Sequence, residues 1–177
     1  FGALSHAIPE KVQAASSGSM SNITFGGKNP RTGKNFAYYE TIAGGMGGRF
    51  GKPGVSAVHT HMTNTLNTPI EAIERELPVM IDTYSIRRGS GGVGKYRGGD
   101  GVVRGYKFLT QATVTMITER RISAPYGVQG GEPGGKGKNI LIRDGISKRM
   151  PPKATLKVNK GDILRIETPG GGGWGKK

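Results

Sequence analysis

A chain of 177 residues suits one domain and can bury roughly two thirds of the surface its unfolded form exposes. It has no cysteine, which excludes disulfides and thiolate chemistry, and no apolar run near the roughly 20 residues of a membrane helix. A net charge of +14 invites a nucleic-acid reading, but the 26 Lys and Arg are spread along the chain and only 7% of residues are aromatic, so no basic arm or RNA-stacking strand is visible.

Glycine is abundant, at 32 of 177 residues, without a Gly-X-Y period and with apolar runs between the glycines, so collagen and simple low complexity both fit poorly. In chain order, Ser5 to Ala15 reads as a short helix or turn interrupted by Pro9. Asn22–Phe25 and Asn35–Ile42 read as a hairpin with a long loop between them. Residues 44–48 begin a flexible glycine loop running to about Val55, and Ser56–Met62 follows as a strand. Thr68 is expected as a helix N-cap, with Pro69 at the first helical position and Glu71 at the capping-box position. That helix, near residues 69–76, should stop at Pro78. Strands are then expected at Val79–Ile86, Val102–Leu109, Thr113–Thr118, Asn139–Arg143, Thr155–Val158 and Ile163–Thr168, with a turn at Lys160-Gly161-Asp162. The class is α+β, predominantly antiparallel β with one clear short helix, in a single β-rich domain over residues 1–177.

The segment Arg87–Gly105 carries eight glycines and five basic residues. Gly89 to Gly94 matches G-x-G-x-x-G, and Gly89 to Lys95 matches G-x-x-x-x-G-K. Both patterns bind phosphate by opening a helix. Here the glycine-broken run Tyr96 to Gly101 cannot continue as one, and Tyr96 stands where magnesium would need Ser or Thr. A nucleotide loop is therefore excluded, and the segment reads as a shaped, basic hinge between two β segments. His59 and His61, two residues apart on a strand, would share a face. A complete metal site needs further ligands, which His6, Glu40, Glu71 or Glu74 would have to supply. Hydrogen bonding in a polar pocket with Thr63, Asn64 and Asn67, or support for a metal held elsewhere, fits the pair better. Glu119-Arg120-Arg121 reads as a salt-bridged strand end.

The stretches GALSHAIPEKVQAASSGSMSNITFGG, GRFGKPGVSAVHTHMTNTLNTPIEAIERELPV, ITERRISAPYGVQGGEPGGKGKN and TPGGGGWG, with the glycine segment between them, resemble the hydantoinase B / 5-oxoprolinase family. The resemblance implies the carboxy-terminal part of a B-type subunit in an ATP-dependent cyclic-amide hydrolase of 5-oxoprolinase, hydantoinase or N-methylhydantoinase type. In that scheme an actin-like ATPase, hydantoinase A, phosphorylates the carbonyl oxygen of a cyclic amide, and the B part directs water onto the activated ring. It also implies ATP on the partner subunit and a divalent metal (Zn, Mn or Mg) in an upstream B segment, with no cofactor held by this chain alone. The implied partners are that upstream segment, the hydantoinase A-type subunit and a small cyclic amide. The chain begins at Phe1 within sequence that reads as structured, and is expected to be a piece of something longer and inactive by itself. A cytoplasmic location fits this picture.

Within that resemblance, His59, His61 and Asn64 are expected to line the reaction cavity as catalytic residues, with no metal ligand assigned. Arg97, Asp100 and Arg104 are expected to fix the glycine loop or to hold anionic substrate and phosphate, and Gly170–Gly173 to pack a tight chain end against a neighbour. Two alternatives stay open: an acetone- or acetophenone-carboxylase-type subunit of the same family, and a basic β-rich nucleic-acid-binding module.

Overall fold

The computed structural model describes residues 1–177. Nine strands form two sheets: β1 Ser21–Lys28, β2 Asn35–Thr41, β3 Val79–Arg87, β4 Gly101–Phe108, β5 Ala112–Thr118, β6 Lys138–Arg143, β7 Ile146–Met150, β8 Lys153–Val158 and β9 Ile163–Glu167. One sheet has the order β2-β1-β5-β8 and the other β3-β4-β9-β6-β7, and every pairing is antiparallel. Helical structure is limited to α1 Leu4–Ala7, a 3-10 turn at Pro9–Lys11 and α2 Ile70–Glu76. No helix is long and apolar enough to cross a membrane.

Side-chain alternation explains how the sheets meet. In β5, Ala112, Val114, Met116 and Thr118 are buried while Thr113 and Ile117 face outward. Ile23 and Phe25 of β1 share one core with Val114, Met116, Val102, Tyr106, Phe108, Leu164 and Ile166. The Phe25 ring packs edge-on against Tyr106 and Phe108, at centroid distances of 5.6 and 5.4 Å, joining the two sheets. The turn at Lys160-Gly161-Asp162 lies between β8 and β9, which belong to different sheets, so it is a crossover and not a hairpin.

Several expected elements differ. Ser56–Met62 is not a strand: only Val58 makes an isolated bridge, to Gly44, and Ala57 and His61 adopt positive φ of 52° and 58°. Two left-handed residues break the extended path, so His59 and His61 do not share a strand face. Thr68 is not the N-cap; Pro69 stands there and, having no side-chain acceptor, caps nothing, while the Thr68 N–H donates to Glu40 and its carbonyl accepts from Arg104. Strand β7 was not anticipated; only Met150 packs on the core, and an Asp144-Gly145 turn with φ of 51° and 77° joins it to β6.

The glycine-rich segments form a third body beside the sandwich. Stretches at 12–17, 44–48, 52–56, 90–100, 125–137 (turning at Gln129-Gly130) and 168–175 run together and exchange main-chain hydrogen bonds. Gly170–Gly173 lies at its centre. A Cβ on these residues would lie 1.9 Å from Ser90 O, 2.0 Å from Met46 O, 2.0 Å from Tyr126 O and 2.1 Å from Val93 O, in that order. The first and fourth thus face one segment, three residues apart. Their donors repeat the pattern: Gly170 N–H bonds Gly135 O and Gly173 N–H bonds Glu132 O, while Gly171 and Gly172 reach Gly99 and Ala15. That is the three-residue period of a polyproline-II-like chain, which presents one side to each of three neighbours. None of the four adopts a left-handed φ, so close main-chain approach, and not turn geometry, demands glycine here.

The segment Arg87–Gly105 belongs to this web, and the expected hinge is absent. Gly92, Tyr96 and Gly99 donate to Gly171, Trp174 and Met46, pinning the loop along its length. Trp174 is 7% exposed, and its indole N–H donates to Pro9 O at 3.1 Å, closing the web against the amino-terminal turn.

Candidate functional site

Two charged residues occupy the apolar faces of opposing sheets. Arg104 stands in the same period-two row of β4 as Val102, Tyr106 and Phe108, and Glu40 in the same row of β2 as Tyr38. They meet inside the sandwich, Arg104 Nε to Glu40 Oε2 at 2.9 Å, with Arg104 wholly buried and Glu40 4% exposed. Glu40 also accepts the Tyr106 hydroxyl on Oε2 and the Thr68 N–H on Oε1 at 2.9 Å. Arg104 Nη2 donates to Thr68 O at 2.9 Å, and the guanidinium carbon lies 4.3 Å from the centre of the Tyr84 ring. Burial opposes the charge on Arg104, but Tyr106 and Glu40 more than offset it and hold the guanidinium above its ordinary range. Burial and the Glu40 carboxylate push the Tyr106 phenol well up, so it remains a donor.

Three polar atoms around this pair are buried without a hydrogen-bond partner: Tyr38 Oη, His59 Nε2 and Arg104 Nη1. Burial raises the Tyr38 phenol to about 12. Burial lowers His59, with Glu40 acting in the opposite direction, so the imidazole is neutral at pH 7. Asn67 joins the cluster, donating to Thr41 O at 2.9 Å and accepting from Tyr84 at 3.4 Å. The arrangement is a buried ion pair with a neutral imidazole within electrostatic reach of Glu40 and two unpaired donors, beside Tyr84, which is 45% exposed.

Of the expected catalytic and anion-binding residues, the structure brings His59 and Arg104 to this cluster, along with Glu40 and Asn67, which the sequence offered as a possible further ligand and as part of a polar pocket. His61 turns away: Gln13 Nε2 is 3.1 Å from its Nε2, the Phe1 ring centre is 4.8 Å from its own, and it lines a cleft of about 390 Å³ with Glu119, Arg120 and Tyr126. Asn64 is exposed in the loop that carries Met62 and Leu66 at 81% and 94% exposure. Asp100 pairs with Arg97, Oδ1 to Nη2 at 2.6 Å, and accepts the Gly91 N–H at 2.8 Å. Burial would raise its pKa, but Arg97 and the Gly91 N–H hold it below the usual carboxylate range. Its own N–H donates to Ser56 Oγ at 2.8 Å, so Asp100 ties the glycine loop to the segment leading to His59. Arg104, sequestered with Glu40, is not part of that pair.

Glu40, Tyr38 and Tyr106 were not assigned to a common site from sequence. A signal existed: NFAYYET and VVRGYKF each place one charge, of opposite sign, on an otherwise apolar strand face. The donor set does not fit a divalent ion within this chain, because the two histidines diverge and no three His, Asp or Glu side chains converge.

The chain belongs to the hydantoinase B/oxoprolinase family, whose model matches residues 1–177. It is 51% identical over 175 residues to an uncharacterized protein of Methanocaldococcus jannaschii, covering 99% of this chain and 30% of that protein. It is 44% identical over 179 residues to the 5-oxoprolinase of Saccharomyces cerevisiae, covering 93% of this chain and 14% of that protein. Among solved structures, the ATP-dependent caprolactamase from Pseudomonas jessenii superposes with a TM-score of 0.81 at 27% identity, covering 98% of this chain and 32% of that one. The chain therefore spans a third or less of the relatives it matches.

Proposed function

We propose that this chain is the glycine-web and sandwich portion of a B-type subunit in an ATP-dependent amide-ring hydrolase. The observation that carries the reading is the family match over the whole chain, with a 5-oxoprolinase among the relatives and a caprolactamase as a structural neighbour. Ring amides resist water because the unstrained amide carbon is a poor electrophile. Phosphorylating the carbonyl oxygen supplies a leaving group, which accounts for an ATPase partner of hydantoinase A type. In this reading the remainder of the B-type polypeptide completes the cavity and would hold any divalent metal, which would supply a lowered pKa for the attacking water.

This chain's own residues then have separate duties. His59, neutral and with its Nε2 free of any partner, accepts or donates a hydrogen bond at the ring being opened. His61 and Asn64 face the cleft and loop that the adjoining polypeptide covers. The Arg97–Asp100 pair keeps the glycine loop in register beneath them. Substitution of His59 by Ala in the assembled enzyme should cut the rate of ring opening about 100-fold, in the range of a lost acid–base group, and His61→Ala should lower it through the cleft that His61 lines, both with ATP affinity unchanged. Unchanged turnover in both variants removes these residues from the mechanism. Turnover that requires bicarbonate and yields a carboxylated product would transfer the chain to the carboxylase branch.

A further inference from the structure

Arg121 is a buried cation with no anion beside it. It is 5% exposed, and its guanidinium is held by neutral groups only: Nε donates to Asn139 Oδ1 at 3.2 Å, and Nη1 to Ser21 Oγ at 2.9 Å and Glu119 O at 2.6 Å. Nη2 is buried without a partner, and Arg121 makes no salt bridge. The nearby carboxylates are committed elsewhere: Glu119 Oε2 accepts the Ser19 N–H at 2.6 Å, and Glu167 pairs with Arg87 and Lys138. Burial and the like charge of Arg87 lower Arg121 to about 9, still charged at neutral pH, so deprotonation does not relieve the site. The expected salt-bridged strand end is therefore absent.

The surroundings are shaped to keep the cation in place. Arg120 adopts a left-handed φ of 56° at the turn that sends Arg121 inward, and a Cβ at residue 137 would lie 2.8 Å from the guanidinium carbon, so Gly137 leaves the space it fills. Beside it opens a cleft of about 340 Å³ lined by Arg120, Arg121, Ser123 and Lys153, and by one carboxylate, Glu119, whose Oε2 accepts the Ser19 N–H. An unpaired buried charge is strongly unfavourable, whereas a guanidinium facing an oxyanion makes short, charge-assisted hydrogen bonds.

We propose that Arg121, with Arg120 and Lys153 at the rim, forms a site for one oxyanion, a carboxylate or phosphate group. Its source is either free phosphate or an acidic side chain of adjoining polypeptide, and the site stands apart from the ring-opening reading. The test uses the full polypeptide that carries this chain, with inorganic phosphate as the probe in equilibrium dialysis at fixed ionic strength. If the anion is free, phosphate binds, Arg121→Met weakens it about tenfold or more, and the exposed-lysine control Lys160→Met does not. If the anion is an acidic side chain, phosphate does not bind, and an experimental structure of the full polypeptide shows a carboxylate oxygen within hydrogen-bond distance of Arg121 Nη2. Equal phosphate binding by wild type and Arg121→Met overturns the proposal. So does absent phosphate binding with no carboxylate at Nη2. Should Arg121→Met fail to fold, the rim pair Arg120→Met with Lys153→Met must weaken phosphate binding, or a carboxylate must occupy Nη2, for the proposal to survive.

Discussion

Replacing Gly171 with Ala tests whether the glycine web is packed by its main chain. The added Cβ would sit 2.0 Å from Met46 O and 2.3 Å from the carbonyl carbon, with no flexible side chain to move aside. Relief requires the segments to part by more than about 1 Å, an overpacking cost of about 1–3 kcal/mol. Parting also strains two main-chain hydrogen bonds, Gly171 N–H to Gly99 O at 2.9 Å and Gly92 N–H to Gly171 O at 2.8 Å, each worth about 1 kcal/mol net. The sum, about 3–5 kcal/mol, is a large share of the roughly 5–15 kcal/mol that holds a domain folded. Trp174, the one tryptophan, lies in the web and reports its loss by fluorescence during urea unfolding. At a typical slope the midpoint should fall by about 2 M. Gly33→Ala is the comparison: its φ is 70°, but a Cβ there meets nothing within 4 Å, so only the left-handed penalty of about 1–2 kcal/mol applies. A Gly171→Ala midpoint no lower than that of Gly33→Ala would refute close main-chain packing.

Glu40→Gln removes the counter-charge of a fully buried Arg104 and should destabilise the chain by about 3–5 kcal/mol, read as a lowered urea midpoint. Tyr106→Phe, which removes one donor to the same carboxylate, should cost less, about 1.5–3 kcal/mol. Acid should destabilise the fold through Asp100 and Asp162, both held below the ordinary carboxylate range. Despite its burial, Asp162 is held down by Arg143 and the Asn159 N–H. Because their folded pKa values are depressed, the unfolded chain binds more protons, so this stability is present above an unfolded pKa of about 3.9 and disappears as pH falls below it. Asp162→Asn should flatten the low-pH arm of a stability-versus-pH curve, and an unchanged arm would exclude that carboxylate as a source.

The strands were legible because their alternation is local. Eight strand segments, including both arms of the first hairpin, appear in the sequence as period-two or β-branched runs and pair antiparallel as expected. β7 escaped because four of its five residues are exposed and carry no apolar stripe, although the Asp144-Gly145 turn before it was a usable signal. Ser56–Met62 misled for the converse reason: Val58 with alternating polar residues mimics a strand, and nothing local reveals left-handed turns at Ala57 and His61. The candidate site was half legible. His59 and Arg104 stood out, but Glu40, the partner of Arg104, lies in the other sheet and is brought there only when the sandwich closes.

By itself, the sequence determined the β-rich class, the absence of thiol chemistry and, through its glycine blocks, the family. Those features depend on composition and short-range pattern, which survive without knowledge of distant contacts. Only the tertiary structure decided what the glycines are for. Read locally, Gly89–Gly101 offered a phosphate loop or a hinge; in three dimensions it is one wall of a bundle around Gly170–Gly173, where main chains touch and a Cβ has no room. The same holds for the buried charges. Whether Arg104 is paired and Arg121 is not depends on which carboxylate lies across the fold, a contact between residues far apart in the chain.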